Sequence, residues 1–92
     1  MAELCEKMLQ IRNKLGLHAR AATKLVMLVN RFEARVTVEH NGKRADAGSV
    51  MGLLLLETCQ GQTIRVVAEG PDAEAAMSAV EQLIDGRFDE SE

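Results

Sequence analysis

His18 lies in the run Asn13-Lys14-Leu15-Gly16-Leu17-His18-Ala19-Arg20-Ala21-Ala22-Thr23, where an alternating segment ends and a helical pattern begins. The first turn of a helix carries unpaired backbone N–H groups and the positive end of the macrodipole, and both favour a phosphoryl group. A histidine placed there can accept a phosphoryl group on a ring nitrogen and pass it on. Arg20 could swing toward the phosphoryl oxygens and supply charge-assisted hydrogen bonds. The N–H groups of Ala19, Arg20 and Ala21 could point at the same oxygens. Small side chains at Ala19, Ala21 and Ala22 would leave the site open to in-line transfer between two proteins, a reaction that asks mainly for positioning and charge stabilisation. The competing reading of the same residues is an exposed cap or a packed side chain. No carboxylate that could orient the ring is visible in the sequence.

The rest of the chain bounds what such a site can be part of. Its 92 residues suit one domain, 1–92, with one modest core. Two Phe, no Trp and no Tyr leave that core to Leu, Val, Ile, Ala and Met, and remove the stacking platforms that single-stranded nucleic acid needs. The net charge of −3 also argues against a nucleic-acid partner. Cys5 and Cys59 have no metal or redox spacing and read as small hydrophobes in a reducing compartment. The acidic N-terminus is no signal peptide and no stretch approaches a membrane span, so the expected location is the cytoplasm, with no membrane partner.

The elements that must position His18 follow from periodicity. Residues 5–12 alternate as a strand with Cys5, Lys7, Leu9 and Ile11 on one side. From Ala19 the spacing of Ala22, Leu25, Val26, Val29 and Phe32 predicts a helix. Residues 34–40 alternate again, with Val36 and Val38 facing one way and Arg35, Thr37 and Glu39 the other, and Asn41-Gly42 signals a tight hairpin into a short strand over 43–46. Ser49 is a candidate N-cap for an apolar helix running from Val50 to about Thr58. A strand over 63–69 follows, then a helix opened by Gly70-Pro71-Asp72 and closed by Gly86 as a C′ residue. The acidic tail 89–92 is expected to fray. The order βαββαβα, with alternating strands, predicts an α/β (α+β) open-faced β-sandwich: a four-stranded antiparallel sheet covered on one side by three helices.

The apolar helix after Ser49 cannot hide every face in so small a domain, so Val50, Met51 and Leu54 or Leu55 are candidates for an exposed patch. Some of these side chains must be core. Methionine suits a surface that fits several partners in turn. His40, beside the turn, reads as a solvated flanking residue, and two histidines so far apart give no metal site. No glycine-rich nucleotide loop is present, and no cofactor is expected.

The run Leu15-Gly16-Leu17-His18-Ala19-Arg20 resembles the active-site segment of the HPr family, the histidine phosphocarriers of bacterial phosphotransferase systems. Asn41-Gly42-Lys43, Gly48-Ser49-Val50-Met51, Gln60-Gly61 and Ala68-Glu69-Gly70 fall where that family has similar elements. Within the family the likeness is greatest to the nitrogen-branch paralogues, the NPr group, on Asn13-Lys14-Leu15-Gly16, Leu53-Leu54-Leu55-Leu56, Glu69-Gly70-Pro71 and Phe88-Asp89-Glu90. The resemblance implies that His18 is phosphorylated on Nδ1 and that Arg20 assists the phosphoryl group. It implies a docking face of Ala19, Arg20, Thr23, Lys24 and Met27 together with Val50, Met51 and Leu54, with Ala21 and Ser49 completing the binding set. Ser49 aligns with a serine that some members use as a kinase-regulated site, although an N-cap role alone accounts for it. The family usually has proline where this chain has Ala21. Alanine restores an N–H and is a good helix former, so the expectation is an intact fold with altered transfer rates or partner preference.

The function this implies is a relay. An enzyme I-type protein charged by phosphoenolpyruvate would donate the phosphoryl group and a IIA-type protein would accept it, a relay serving nitrogen regulation more than sugar uptake. The chain would act as a monomer and as a covalent intermediate, not a free-standing turnover enzyme. A sugar-branch carrier and a non-catalytic docking module are the alternatives.

Overall fold

The computed structural model describes residues 3–90. Its elements in chain order are strand β1 (Glu3–Gln10), helix α1 (Ala19–Val29), strands β2 (Arg35–His40) and β3 (Lys43–Asp46), helix α2 (Val50–Leu54), strand β4 (Thr63–Gly70), helix α3 (Ala73–Asp85) and a 3₁₀ turn (Arg87–Asp89). The sheet runs β1-β4-β2-β3 and each neighbouring pair is antiparallel. This is the predicted α+β architecture. Alternation is its cause: Leu9, Val36, Val38, Ile64, Val66 and Ala68 enter the core, and Leu25, Val29, Leu53, Ala76, Val80 and Ile84 meet them from the helices. On the opposite sheet face, Arg65 pairs with Glu6 and Glu39, and Arg44 with Glu39.

The hairpin is built as the Asn-Gly signal requires. Asn41 and Gly42 both take positive φ, 54° and 82°, and His40 faces Lys43 across the turn. His40 is half-buried, not simply solvated, and its ring Nδ1 lies 3.2 Å from the Leu56 carbonyl, which fixes Nδ1 as a donor.

Three local expectations give way to tertiary demands. Strand β1 occupies Glu3–Gln10, beginning and ending two residues earlier than the pattern suggests. Ile11 nonetheless stays tied to the Gly61-Gln62 turn, donating to the Gln62 carbonyl at 2.9 Å and accepting from Gly61 at 2.8 Å. Helix α2 stops at Leu54 instead of running to Thr58, with Leu55 as its C-cap and Glu57 at φ 53°. That early exit lets Leu56 enter the core and brings Thr58 beneath the loop before His18, where its Oγ1 accepts the Leu17 N–H at 3.2 Å.

The third concerns the end of the chain. Gly86 is not a left-handed C′ residue, because its φ is −83°. The left-handed turn comes afterwards, at Arg87, Phe88 and Asp89, with φ of 58°, 53° and 63°. Non-glycine residues reach that region at a cost of about 1–2 kcal/mol each. Complete burial of the Phe88 side chain offsets part of it, at roughly 1.5–3 kcal/mol for an aromatic of this size. The Lys24 ammonium adds a hydrogen bond to the Phe88 carbonyl at 2.6 Å. Asp89 and Glu90 therefore have a defined path, against the expectation of fraying; residues 91 and 92 lie outside the described residues.

Candidate phosphoryl-transfer site

The loop before α1 is pinned from below. Gly16 sits at φ 67°, and a Cβ there would fall 2.2 Å from the Thr58 carbonyl oxygen, so only glycine permits this approach. Asn13 is fully buried, and its Nδ2 donates to the Gly16 carbonyl at 2.8 Å. With Leu17 buried and its N–H held by Thr58, the chain can deliver the next residue in only one direction.

That residue is His18, and it is the N-cap of α1. Its backbone is extended (φ −75°, ψ 178°), its carbonyl accepts the Ala22 N–H at 2.8 Å, and its Nδ1 accepts the Arg20 N–H at 3.3 Å. A ring nitrogen thus does the work usually given to a serine or aspartate oxygen. The Nδ1 lone pair faces the free N–H groups of the first turn, where the macrodipole and those donors would receive the oxygens of a phosphoryl group. Arg20 is exposed beside it.

On the other side of the ring, Nε2 hydrogen-bonds to Oε2 of Glu90. Asn13 donates its second Nδ2 hydrogen to Oε1 of the same carboxylate at 3.1 Å. The Glu90 side chain is only 15 % exposed and that of His18 25 %. Burial alone would push the Glu90 carboxyl up. The hydrogen bonds from His18 and Asn13, with the Lys24 charge nearby, outweigh burial and hold it below the ordinary carboxylate range. The carboxylate that sequence reasoning did not find is therefore present. It lies 72 positions from His18, and no local pattern connects the two.

The expected docking residues divide into several kinds. Met27 and Met51 are exposed (65 % and 69 %), and Ala19 and Thr23 are also at the surface, though the Thr23 hydroxyl donates to the Ala19 carbonyl. Lys24 is half-buried and already engaged with the tail at Phe88 and Asp89. Val50 and Leu54 are half-buried against the core, whereas Leu55 and Leu15 are exposed (64 % and 65 %) and enlarge the apolar surface. Ser49 is the N-cap of α2, accepting the Gly52 N–H at 3.1 Å. Ala21 differs from the others: the whole residue is buried, so it meets the core and presents no surface to a partner. Among the described residues no group of three His, Cys, Asp or Glu side chains gathers as a metal site, and no helix is long and apolar enough to cross a membrane.

Comparison with known proteins defines the class. A family profile described as "PTS HPr component phosphorylation site" matches residues 5–86. The chain belongs to the HPr family of phosphotransferase-system phosphocarriers. It is 51% identical over 86 residues to phosphocarrier protein NPr of Shewanella violacea, covering 94% of each chain. It is 42% identical over 87 residues to phosphocarrier protein HPr of Xylella fastidiosa, covering 95% of this chain and 98% of that one. Among solved structures, HPr-C-His from Thermoanaerobacter tengcongensis superposes with a TM-score of 0.91 at 38% identity, covering 96% of this chain and 99% of that one.

Proposed function

We propose that this chain is an NPr-type carrier of the nitrogen-regulatory branch. It takes a phosphoryl group onto Nδ1 of His18 from an enzyme I-type protein charged by phosphoenolpyruvate and hands it to a IIA-type protein. The observation that carries the chemistry is the N-cap geometry of His18, with Nδ1 3.3 Å from the Arg20 N–H at the start of α1. Arg20 would close on the phosphoryl oxygens with its guanidinium, while the unpaired first-turn N–H groups take the others. Met27, Met51 and Leu55 would meet both partners in turn, with Val50, Leu54 and Thr23 at their margins. Phosphoryl uptake needs no cofactor on the carrier, because the donor brings the activated group. The reading places the relay in the cytoplasm, in keeping with the unpaired thiols of Cys5 and Cys59.

The branch rests on the 51% identity to an NPr protein. A second reading, a sugar-branch carrier, draws on the 42% identity to an HPr protein over nearly the same length. Purified enzyme I-type donors of both branches, phosphoenolpyruvate and either wild type or His18→Ala separate the possibilities by mass. One added phosphoryl group on the wild type alone, acid-labile and alkali-stable, is the expected result. Faster loading by the sugar-branch donor would overturn the branch; no loading by either donor would overturn the relay.

A further inference from the structure

The Glu90 contact carries a role that goes beyond the relay itself, and its place in the reaction rests on the reading that His18 is phosphorylated at Nδ1. An imidazole that carries one proton can place it on either ring nitrogen, and only the bare nitrogen is a nucleophile. Two contacts of His18 both point to the same form. An ionised carboxylate can only accept, so its partner Nε2 must bear the proton; Nδ1, facing the Arg20 N–H, must not. We infer that Glu90 is a positioning residue for the phosphoryl relay: its carboxylate holds the proton on Nε2, leaves Nδ1 open at the helix start, and balances the charge that the ring acquires.

The charge follows from the step. The Nδ1 lone pair attacks phosphorus as the bond between phosphorus and the donor's carrier atom breaks, and that bond's electron pair returns to the donor. His18 begins neutral, with its proton on Nε2. It ends with phosphorus on Nδ1 and the proton still on Nε2, so the ring carries one positive charge more than before and no proton has to move. Hand-off to the acceptor reverses this: the phosphorus–nitrogen electron pair returns to Nδ1 and the ring is neutral again. A carboxylate at Nε2 stabilises the charged ring and fixes the tautomer, the same physical task a buried aspartate performs for the base of a serine protease. The structure provides three supports for it. Asn13 holds Oε1 from a fully buried position, Phe88 anchors the tail in the core, and Lys24 ties down the Phe88 carbonyl. The left-handed run at Arg87–Asp89 turns the chain back so that Glu90 reaches the ring.

The test compares the full chain with Glu90→Gln, Glu90→Ala and Glu90→Asp. Nitrogen-15 NMR of the unphosphorylated proteins reads the ring tautomer of His18, and rapid-quench assays with the phosphorylated enzyme I-type donor read uptake. Wild type is expected to show the Nε2–H form, whereas the Gln and Ala variants show a mixture of the two. Uptake should fall about 10-fold in both, in the rate constant and not in the KM for the donor, as for other carboxylates that orient a working histidine. Glu90→Asp, which keeps the charge, should recover part of both signals; it also decides the matter if the Gln and Ala chains do not fold. An unchanged tautomer balance, or unchanged uptake by a folded Glu90→Gln, would overturn the proposal. If the wild type takes no phosphoryl group from either donor, the relay reading fails, and the tautomer measurement still judges whether Glu90 holds the ring.

Discussion

Gly16 offers the sharpest test of how the site is built. Replacing it by alanine asks for two things at once. The backbone stands at φ 67°, which costs an alanine about 1–2 kcal/mol. The added Cβ would meet the Thr58 carbonyl oxygen at 2.2 Å and the Thr58 carbonyl carbon at 3.0 Å, so one segment must retreat on the order of 1 Å to regain ordinary contact. Both partners are backbone, and no side chain can simply rotate away. Overpacking of that kind adds about 1–3 kcal/mol, bringing the expected destabilisation to about 2–5 kcal/mol. For a chain of this size, the corresponding fall in Tm is about 10 °C or more. Urea titrations of wild type and Gly16→Ala give the difference directly. The same retreat would stretch the Leu17 N–H bond to Thr58 and tilt His18, so phosphoryl uptake by the folded fraction should drop as well. A loss below about 0.5 kcal/mol with normal uptake would refute the reasoning, because that is the range of an unremarkable surface change.

Other consequences are checkable at modest effort. Met51→Glu, at a position 69 % exposed, should leave stability within about 0.5 kcal/mol while raising the KM for a protein partner about tenfold, measured by steady-state phosphoryl transfer. Ala21→Pro removes a first-turn N–H at a position with no exposed surface, so the phosphoryl occupancy of His18 at equilibrium with the donor protein should be unchanged, and a fall of about tenfold would show that this N–H does meet the phosphoryl group. Glu90 has a native pKa below the ordinary 4.5, so its contribution to stability is complete above the unfolded-state value and disappears as pH falls through the lower native one. The urea midpoints of wild type and Glu90→Gln should accordingly differ near neutral pH and converge in acid.

Much of the fold could be read from the chain because local and global preferences agree. Val36 and Val38 alternate with polar neighbours and do enter the core; Asn41-Gly42 takes the left-handed pair of a tight hairpin; Ser49 caps α2 with its own hydroxyl. The failures all involve residues whose conformation is set by something distant. The helix after Ser49 stops early because Thr58 is needed under Leu17. Ala21 and Ala22 are both buried although spacing singles out only Ala22, because α1 packs against both α2 and α3 and buries a broader face than one stripe. Glu90 was illegible for the same reason. Its approach to His18 depends on three successive left-handed residues, none of them glycine, held by a phenylalanine that no periodic pattern marks as core.

These distant constraints bear on why a histidine suits the cap of α1. A carrier that receives and surrenders the same group must keep its two states close in free energy, or one of the transfers becomes uphill. A serine cap would satisfy the helix start permanently and would compete with an incoming phosphoryl group for the first-turn donors. Here the cap is the nucleophile. In the free chain Nδ1 accepts the Arg20 N–H over 3.3 Å, a long and weak hydrogen bond. When Nδ1 becomes bonded to phosphorus it can no longer accept, but the phosphoryl oxygens can take the same N–H, so the helix start has an acceptor in both states. At the other end of the ring Glu90 keeps its hydrogen bond to Nε2 throughout, meeting a neutral ring before transfer and a charged one after it. Neither polar end of the imidazole is left without a partner on loading or unloading, which keeps the free-energy change of each transfer small.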